Sequence, residues 1–366
     1  MSDFYYSFPS ISGRQAGKPY FVSMCPLRLI PKIFLFDEDE LNPELRAQRT
    51  LNRARIPEIS RYILNNRSDY VFSAITASID GSAVFESTAP SSEALSQLGL
   101  LKVDMAAQFI INDGQHRRAA IEQALKEDPS LGEETIAVVF FLDQGLGRSQ
   151  QMFADLNRHA IRPAKSLGLL YDQRSDSAKI GKMVALTCAP LKGLVEFERT
   201  SLAERSRKLF TLSSLTSATS DLLVSSELKS VDEAVRLASE FWAVLFESIQ
   251  EWKAVRLTKM SSGEIRKDFV HSHGVVVQAF GRLGAALLAL QGGNKNFRFL
   301  SELSKIDFQR ANARDWEGRV MVGGRMSKTT NSIVLATTLL KSRLNLELSP
   351  EEKRVETAFK ASKKGH

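Results

Sequence analysis

The segment that most limits what this chain can fold into runs from Gln108 to Leu125. Gln108-Phe109-Ile110-Ile111 is a short apolar run, Asn112-Asp113-Gly114 supplies turn chemistry, and Ala119, Ala120, Ile121 and Ala124 then share one helical face. That succession predicts a strand, a tight turn and a helix. The first helical turn holds His116, Arg117 and Arg118. Unbonded amides at a helix start already carry roughly half a positive charge, so acidic side chains belong there and three basic ones oppose the dipole. A bound anion would resolve the conflict. Gly114 would let a phosphate approach the backbone, and Asp113 would cap the helix or hold a metal ion. A capped helix whose arginines pair with acids elsewhere meets the same spacing equally well.

Around this unit the pattern mixes strands and helices. Tyr5 to Phe36 reads as short strands, ending in Leu29-Ile30-Pro31-Lys32-Ile33-Phe34-Leu35-Phe36. One helix is expected from Pro43-Glu44, with Arg46, Arg49 and Arg53 at helical spacing; after a break at Arg55-Ile56-Pro57-Glu58, a second has Ile59, Tyr62 and Ile63 inward. Val71 to Ser78 reads as a buried strand, Asp80-Gly81 as a hairpin turn into Ala83-Val84-Phe85, and Ile136 to Leu142 as another strand. A helix over Arg148 to Leu156 precedes a turn at Asn157-Arg158. From about Leu170 onward only helical periodicity remains, over 179–186, 221–228, 231–252, 265–290 and 332–344. The expected fold class is α+β, with a mixed domain over 1–172 and a mostly helical domain over 173–366.

Composition excludes several classes. Two cysteines, Cys25 and Cys188, make no disulfide framework, and no zinc spacing is readable, so no metal site is assigned. The start lacks the pattern of a secretory leader, and no apolar run approaches the ~20 residues of a membrane span, which predicts a cytoplasmic protein. The net charge of +7 favours polyanionic partners, as do ten Lys and Arg against four Asp and Glu from Gly318 to His366.

The string Asp113-Gly114-Gln115-His116-Arg117 resembles the signature of the DGQHR-domain family, a branch of the ParB/sulfiredoxin-like superfamily. Arg55 to Ile63, Tyr70 to Ser78 and Phe153 to Ala160 agree in the same order. Asp3 to Pro9 and Met24 to Pro31 are most similar to the DndB branch, proteins of DNA sulfur modification. The resemblance implies a ParB/sulfiredoxin-like fold for the first domain. It also implies a DNA-binding transcriptional repressor of a DNA phosphorothioate modification operon, with ATP, together with Mg2+, bound and slowly hydrolysed at the motif. Carried over, Asp113, Gly114, Gln115, His116, Arg117 and Arg118 would form the nucleotide site, with Asp113 and His116 as candidate catalytic groups. Asn157 and Arg158 stand where related proteins have a second motif, Glu-Asn-x-x-Arg; here the string is Asp155-Leu156-Asn157-Arg158. Partners implied are promoter DNA, the modification enzymes and a second copy in a homodimer. A nucleoside triphosphatase or DNA-cleaving enzyme of the same system, or an adaptor for its enzymes, are the alternatives.

Candidate DNA contacts follow from charge and spacing. Leu45 to Arg67 carries six arginines against one acid, and Arg46, Arg49 and Arg53 would line one helix face along a phosphate backbone. Gly323 to Ser332, with Arg325 and Lys328, leads into an apolar helix extended by Lys341 and Arg343, a composition suited to phosphate. A solvated surface helix and simple capping by Ser327 or Thr330 account for the same residues. His271 and His273 share no helix face and are read as ordinary histidines, Cys25 as a buried thiol, and Trp242 and Trp252 as core.

Overall fold

The computed structural model describes residues 4–34, 53–90, 95–142, 152 and 164–364. The chain divides into two compact units, Met1–Ile161 and Arg162–His366. The first is a mixed sheet with helices and the second is mostly helical, an α+β protein.

The first unit is organised by seven strands: β1 (Tyr5–Gln15), β2 (Lys18–Pro26), β3 (Ile75–Asp80), β4 (Ala83–Ser87), β5 (Leu98–Asp104), β6 (Gln108–Asp113) and β7 (Thr135–Leu142). They lie in the order β4-β5-β1-β2-β7-β3-β6, with β3 and β7 parallel and every other pair antiparallel. Asp80-Gly81 does turn the chain into β4, but β3 and β4 are not partners as a hairpin would require. They lie five strand spacings apart, about 24 Å in a flat sheet. Three residue steps from Asp80 to Ala83 reach at most about 11 Å. The link from Asp104 to Gln108 meets the same conflict. The sheet must therefore roll up until its ends approach. Consistent with this, the Asp104 amide donates to the Ser82 carbonyl at 2.9 Å, and a Cβ on Gly81 would come within 2.6 Å of Ala107.

The inner face of the rolled sheet carries Phe8, Phe21, Ile75, Ala77, Phe109, Ile111, Val138 and Phe140. Among the described residues this unit has three helices: α1 (Ile30–Ile33), α2 (Ile56–Asn65) and α3 (Gln115–Glu127). The strand expected at the end of Tyr5 to Phe36 is instead α1, because Pro31 sits in its first turn and leaves Ile30 and Ile33 pointing into the core. Pro57 likewise opens α2 rather than interrupting a longer helix, and Ile63 packs with Ile121 and Ala124 of α3. Arg46, Arg49, Asn157 and Arg158 lie outside the described residues.

The second unit is built from α4 (Lys165–Tyr171), α5 (Asp176–Thr187), α6 (Leu212–Leu223), α7 (Val231–Ser248), α8 (Gln250–Arg256), α9 (Ser262–Asp268), α10 (Gly274–Leu288), α11 (Ala313–Trp316), α12 (Thr330–Arg343) and α13 (Pro350–Lys364). Its core holds Trp242, Trp252 and Trp316, all fully buried. Helix α6 lies before the 221–228 segment expected to be helical. Several of its Ser and Thr hydroxyls bond locally, as where Ser217 donates to the Ser213 carbonyl at 2.9 Å, and Leu212, Leu215, Ala218 and Leu222 still bury one face. The single helix expected over 265–290 breaks at Phe269–His273, where the Val270 amide turns to the Phe308 carbonyl at 2.9 Å. Among the described residues no helix is long and apolar enough to cross a membrane.

Candidate functional site at the strand–turn–helix

Strand β6 does not run evenly into α3. Its register against β3 steps at Asn112, which bulges between the Ala77↔Ile111 and Thr76↔Asp113 pairs. Such bulges re-aim the residues that follow. Asn112 is fully buried and donates to Ser78 Oγ at 2.7 Å, while its Oδ1 has no partner among the described residues. Gly114 then adopts φ 113°, a value L side chains rarely take, and a Cβ there would sit 3.0 Å from Ile75 Cγ1. Glycine is thus required twice, by its dihedral and by the close approach of β3.

The two arginines of the first turn point into the protein. Arg117, 14% exposed, donates through Nη1 to the Ser73 carbonyl at 2.7 Å, the Ala74 carbonyl at 2.9 Å and the Ser73 hydroxyl. Its Nη2 bonds Asp113 Oδ2 at 2.6 Å. Arg118, 12% exposed, donates to the Phe34 carbonyl at 2.9 Å and the Pro31 carbonyl at 3.3 Å, and pairs with Glu122. Both guanidinium groups therefore clamp α3 to the chain before β3 and to the end of α1.

No side chain caps the helix start, and the first ladder bond runs from the Arg118 amide to the Gly114 carbonyl at 2.9 Å. The amides of Gln115 and Arg117 thus have no acceptor within the helix. His116 is half-buried beside them; burial first, and the Arg55 charge second, lower its pKa against the opposing pull of Asp113. A neutral imidazole, these two amides and the half-exposed Asp113 carboxylate form this mouth. Such a donor set fits one phosphate group through the backbone, whereas the arginines fit internal acceptors. Asp113 is the carboxylate that a nucleotide-bound Mg2+ would meet. Among the described residues no group of three His, Cys, Asp or Glu side chains is placed to hold a metal ion by itself.

The candidate DNA contacts fare unevenly. Arg53 is exposed at the start of a short 3-10 turn, Arg53–Arg55, leading into α2. Lys341 is buried and bonds both carboxylate oxygens of Glu352 at 2.8 Å, and Arg343 bonds Asp315 at 2.8 Å. Gly323 and Gly324 form a hairpin turn, and both their amides donate to Glu317, at 2.6 and 3.3 Å. Arg325 and Lys328 remain exposed. His271 is a core residue: the Trp252 indole donates to its Nδ1 at 3.0 Å, which leaves its proton on Nε2, toward Glu251. Burial pushes the Cys25 thiol up to about 12. The sequence reading missed the carbonyl partners of the arginines, which no side-chain type announces, and Arg55, whose proximity to His116 only the tertiary fold reveals.

Charge divides sharply between the units. The first carries sixteen Lys and Arg against twenty Asp and Glu, the second thirty-three against twenty-two. Fold and site thus define a two-unit α+β protein, with an uncapped helix start at a glycine turn in an acidic unit and a strongly basic helical unit. The DndB family, described as DNA-sulfur modification-associated, matches residues 8–347. The match spans nearly the whole chain, and the chain belongs to that family. No curated protein sequence and no solved structure shows significant similarity to it.

Proposed function

We propose that this protein is a DNA-binding repressor of the genes for DNA sulfur modification, and that ATP held at the mouth of α3 tunes its occupancy of the promoter. Membership of the DndB family along residues 8–347 carries this reading. The excess of eleven positive charges in the second unit supports it, since a polyanionic duplex is the partner such a surface attracts. A ParB/sulfiredoxin-like fold for the first unit agrees with its strand–turn–helix. On this reading Gln115 and Arg117 supply main-chain donors to a phosphate, Gly114 sets their direction, and Arg117 and Arg118 hold the helix start in place. Asp113 and His116 are the candidate groups for slow hydrolysis.

Gel shifts with the promoter upstream of the modification genes and with random duplex, over a salt series, test the reading. We expect a preference of about a thousandfold or more for the promoter. Equal affinity for both duplexes would remove the repressor assignment. At the mouth, a bound phosphate should raise the depressed His116 pKa, so ATP affinity should increase as pH falls from 8 to 6. A His116 imidazole signal that ignores saturating ATP would place the nucleotide elsewhere.

A further inference from the structure

The second unit contains a cavity of about 620 Å³ whose wall combines Lys165, Thr211, Ser214, Ser272, Gly274 and Lys328. Two long helices begin at it, α6 from Thr211 and α10 from His273. Helix α6 is closed by its own capping box, in which Thr211 and Ser214 bond reciprocally. Helix α10 has no side-chain cap, so its first amides, those of Gly274 and Val275, lack an acceptor in the helix.

Three further features make this more than an open helix end. Ser272, 6% exposed, is among the residues of the cavity wall, and its buried hydroxyl has no hydrogen-bond partner among the described residues. A buried hydroxyl left without a partner is costly, and folded proteins rarely keep one unless something else occupies it. Second, the Lys328 ammonium lies 3.5 Å from where a Cβ of Gly274 would be, at the positive end of α10, a place that disfavours cations. Third, Lys165 stands near enough to Lys328 that, after burial, its charge is the next cause lowering the Lys328 pKa. Two lysines, a helix dipole and an unbonded hydroxyl therefore meet at one space; Glu204 is on its wall and the Asp221 charge acts on Lys328, but no carboxylate is bonded to either lysine among the described residues.

We infer that this cavity is a second anion site, which takes a phosphate group between Lys165, Lys328, the Ser272 hydroxyl and the first amides of α10. The phosphate belongs either to a nucleic-acid backbone or to a free nucleotide, and the volume admits a mononucleotide. The site shares no residue with the mouth of α3 and stands whether or not that mouth binds ATP.

The test compares the full-length protein with K165Q/K328Q, with S272A, and with K229Q/K305Q, whose lysines do not line the cavity. Each is titrated with inorganic phosphate, with ATP and with a random-sequence duplex, and each is melted in phosphate-free buffer. K165Q/K328Q should bind at least one of these probes about tenfold more weakly, and S272A a few-fold more weakly. Neither should melt lower than wild type, because each removes an unsatisfied group. Loss toward the duplex alone assigns the site to backbone phosphate; loss toward phosphate and ATP alone assigns it to a free nucleotide; loss toward all three assigns one site to both. Unchanged affinity for every probe, equal weakening by K229Q/K305Q, or a lowered melting temperature of S272A would overturn the assignment. These outcomes are separate from promoter preference, which can survive or fail independently.

Discussion

Arg117 donates to oxygens on Ser73, Ala74 and Asp113, and a lysine at this position could not reach all three from one nitrogen. We expect Arg117→Lys to lower unfolding free energy by about 2–4 kcal/mol, since charge-assisted bonds to partly buried carbonyls are lost together. Urea denaturation measures this, and an unchanged midpoint would show the clamp to be dispensable. Any effect of the variant on ATP binding must be read beside that measurement, because the side chain holds the mouth without lining it. The sequence announced the glycine turn and the basic first turn, since both follow from local residue types. It was silent on their partners, because the backbone carbonyls of Ser73, Phe34 and Pro31 have no signature of their own. Glu356 presents the opposite case, a partner supplied by a charge far along the chain. Burial by itself would raise its pKa, but bonds at 2.6 Å to Arg319 and at 2.7 Å to Thr338, with the Arg319 and Lys360 charges, outweigh that and hold it at about 2. A carboxyl depressed in the folded state stabilises above its unfolded pKa, about 4.5, and that contribution disappears as pH falls toward 2. Melting temperature should therefore drop across that window, and Glu356→Gln should flatten the drop while lowering stability at pH 7.

Helices α6 and α10 owe their contact to glycine. A Cβ on Gly281 would lie 2.0 Å from the Ala218 carbonyl oxygen, and one on Gly284 would meet Leu222 and Phe241 at 2.5 and 2.6 Å. Alanine gains about 1 kcal/mol over glycine in an exposed helix, so propensity alone would make Gly281→Ala stabilising. Here the backbone of α6 cannot yield by the ångström or more required, and overpacking should dominate, with a net loss of about 1–3 kcal/mol. A thermal melt gives the sign directly; a rise would mean that the two helices can separate at little cost. Both helices also show where periodicity misleads. Seven Ser and Thr residues within Thr211–Ser220 hide the apolar face of α6. The helical periodicity read across α9 and α10 hides the break at Phe269–His273, where Phe308 offers a backbone partner to Val270. In the sheet, most strands were readable from composition and alternation, but β5 was not, and neither was the pairing, because β3 and β4 are neighbours in sequence and nearly opposite in the order.

At the scale of the whole molecule, charge rather than any one motif separates the two units. A net charge of +7 looks unremarkable until it is divided at Arg162, where an acidic unit gives way to one with eleven more cations than acids. Part of that excess lies in a hollow of about 1040 Å³ lined by Lys192, Arg205, Arg207 and Lys259, which shares Glu204, Gly263 and Lys267 with the smaller anion cavity. These four cations are exposed, and no carboxylate is bonded to them among the described residues. If the second unit meets DNA, its contribution must appear as released counterions, with a slope of log affinity against log salt of about −0.9 per phosphate neutralised. Replacing Arg205, Arg207 and Lys259 together by Gln should make that slope shallower by about 2–3 and weaken promoter and random duplex alike. Replacing Arg14 and Lys18, which flank the β1–β2 turn of the acidic unit, should leave the slope unchanged. The reverse result would move the duplex to the sheet of the first unit. Because both triplet and pair are surface changes, a melt that stays within about 0.5 kcal/mol of wild type will separate lost contacts from lost folding.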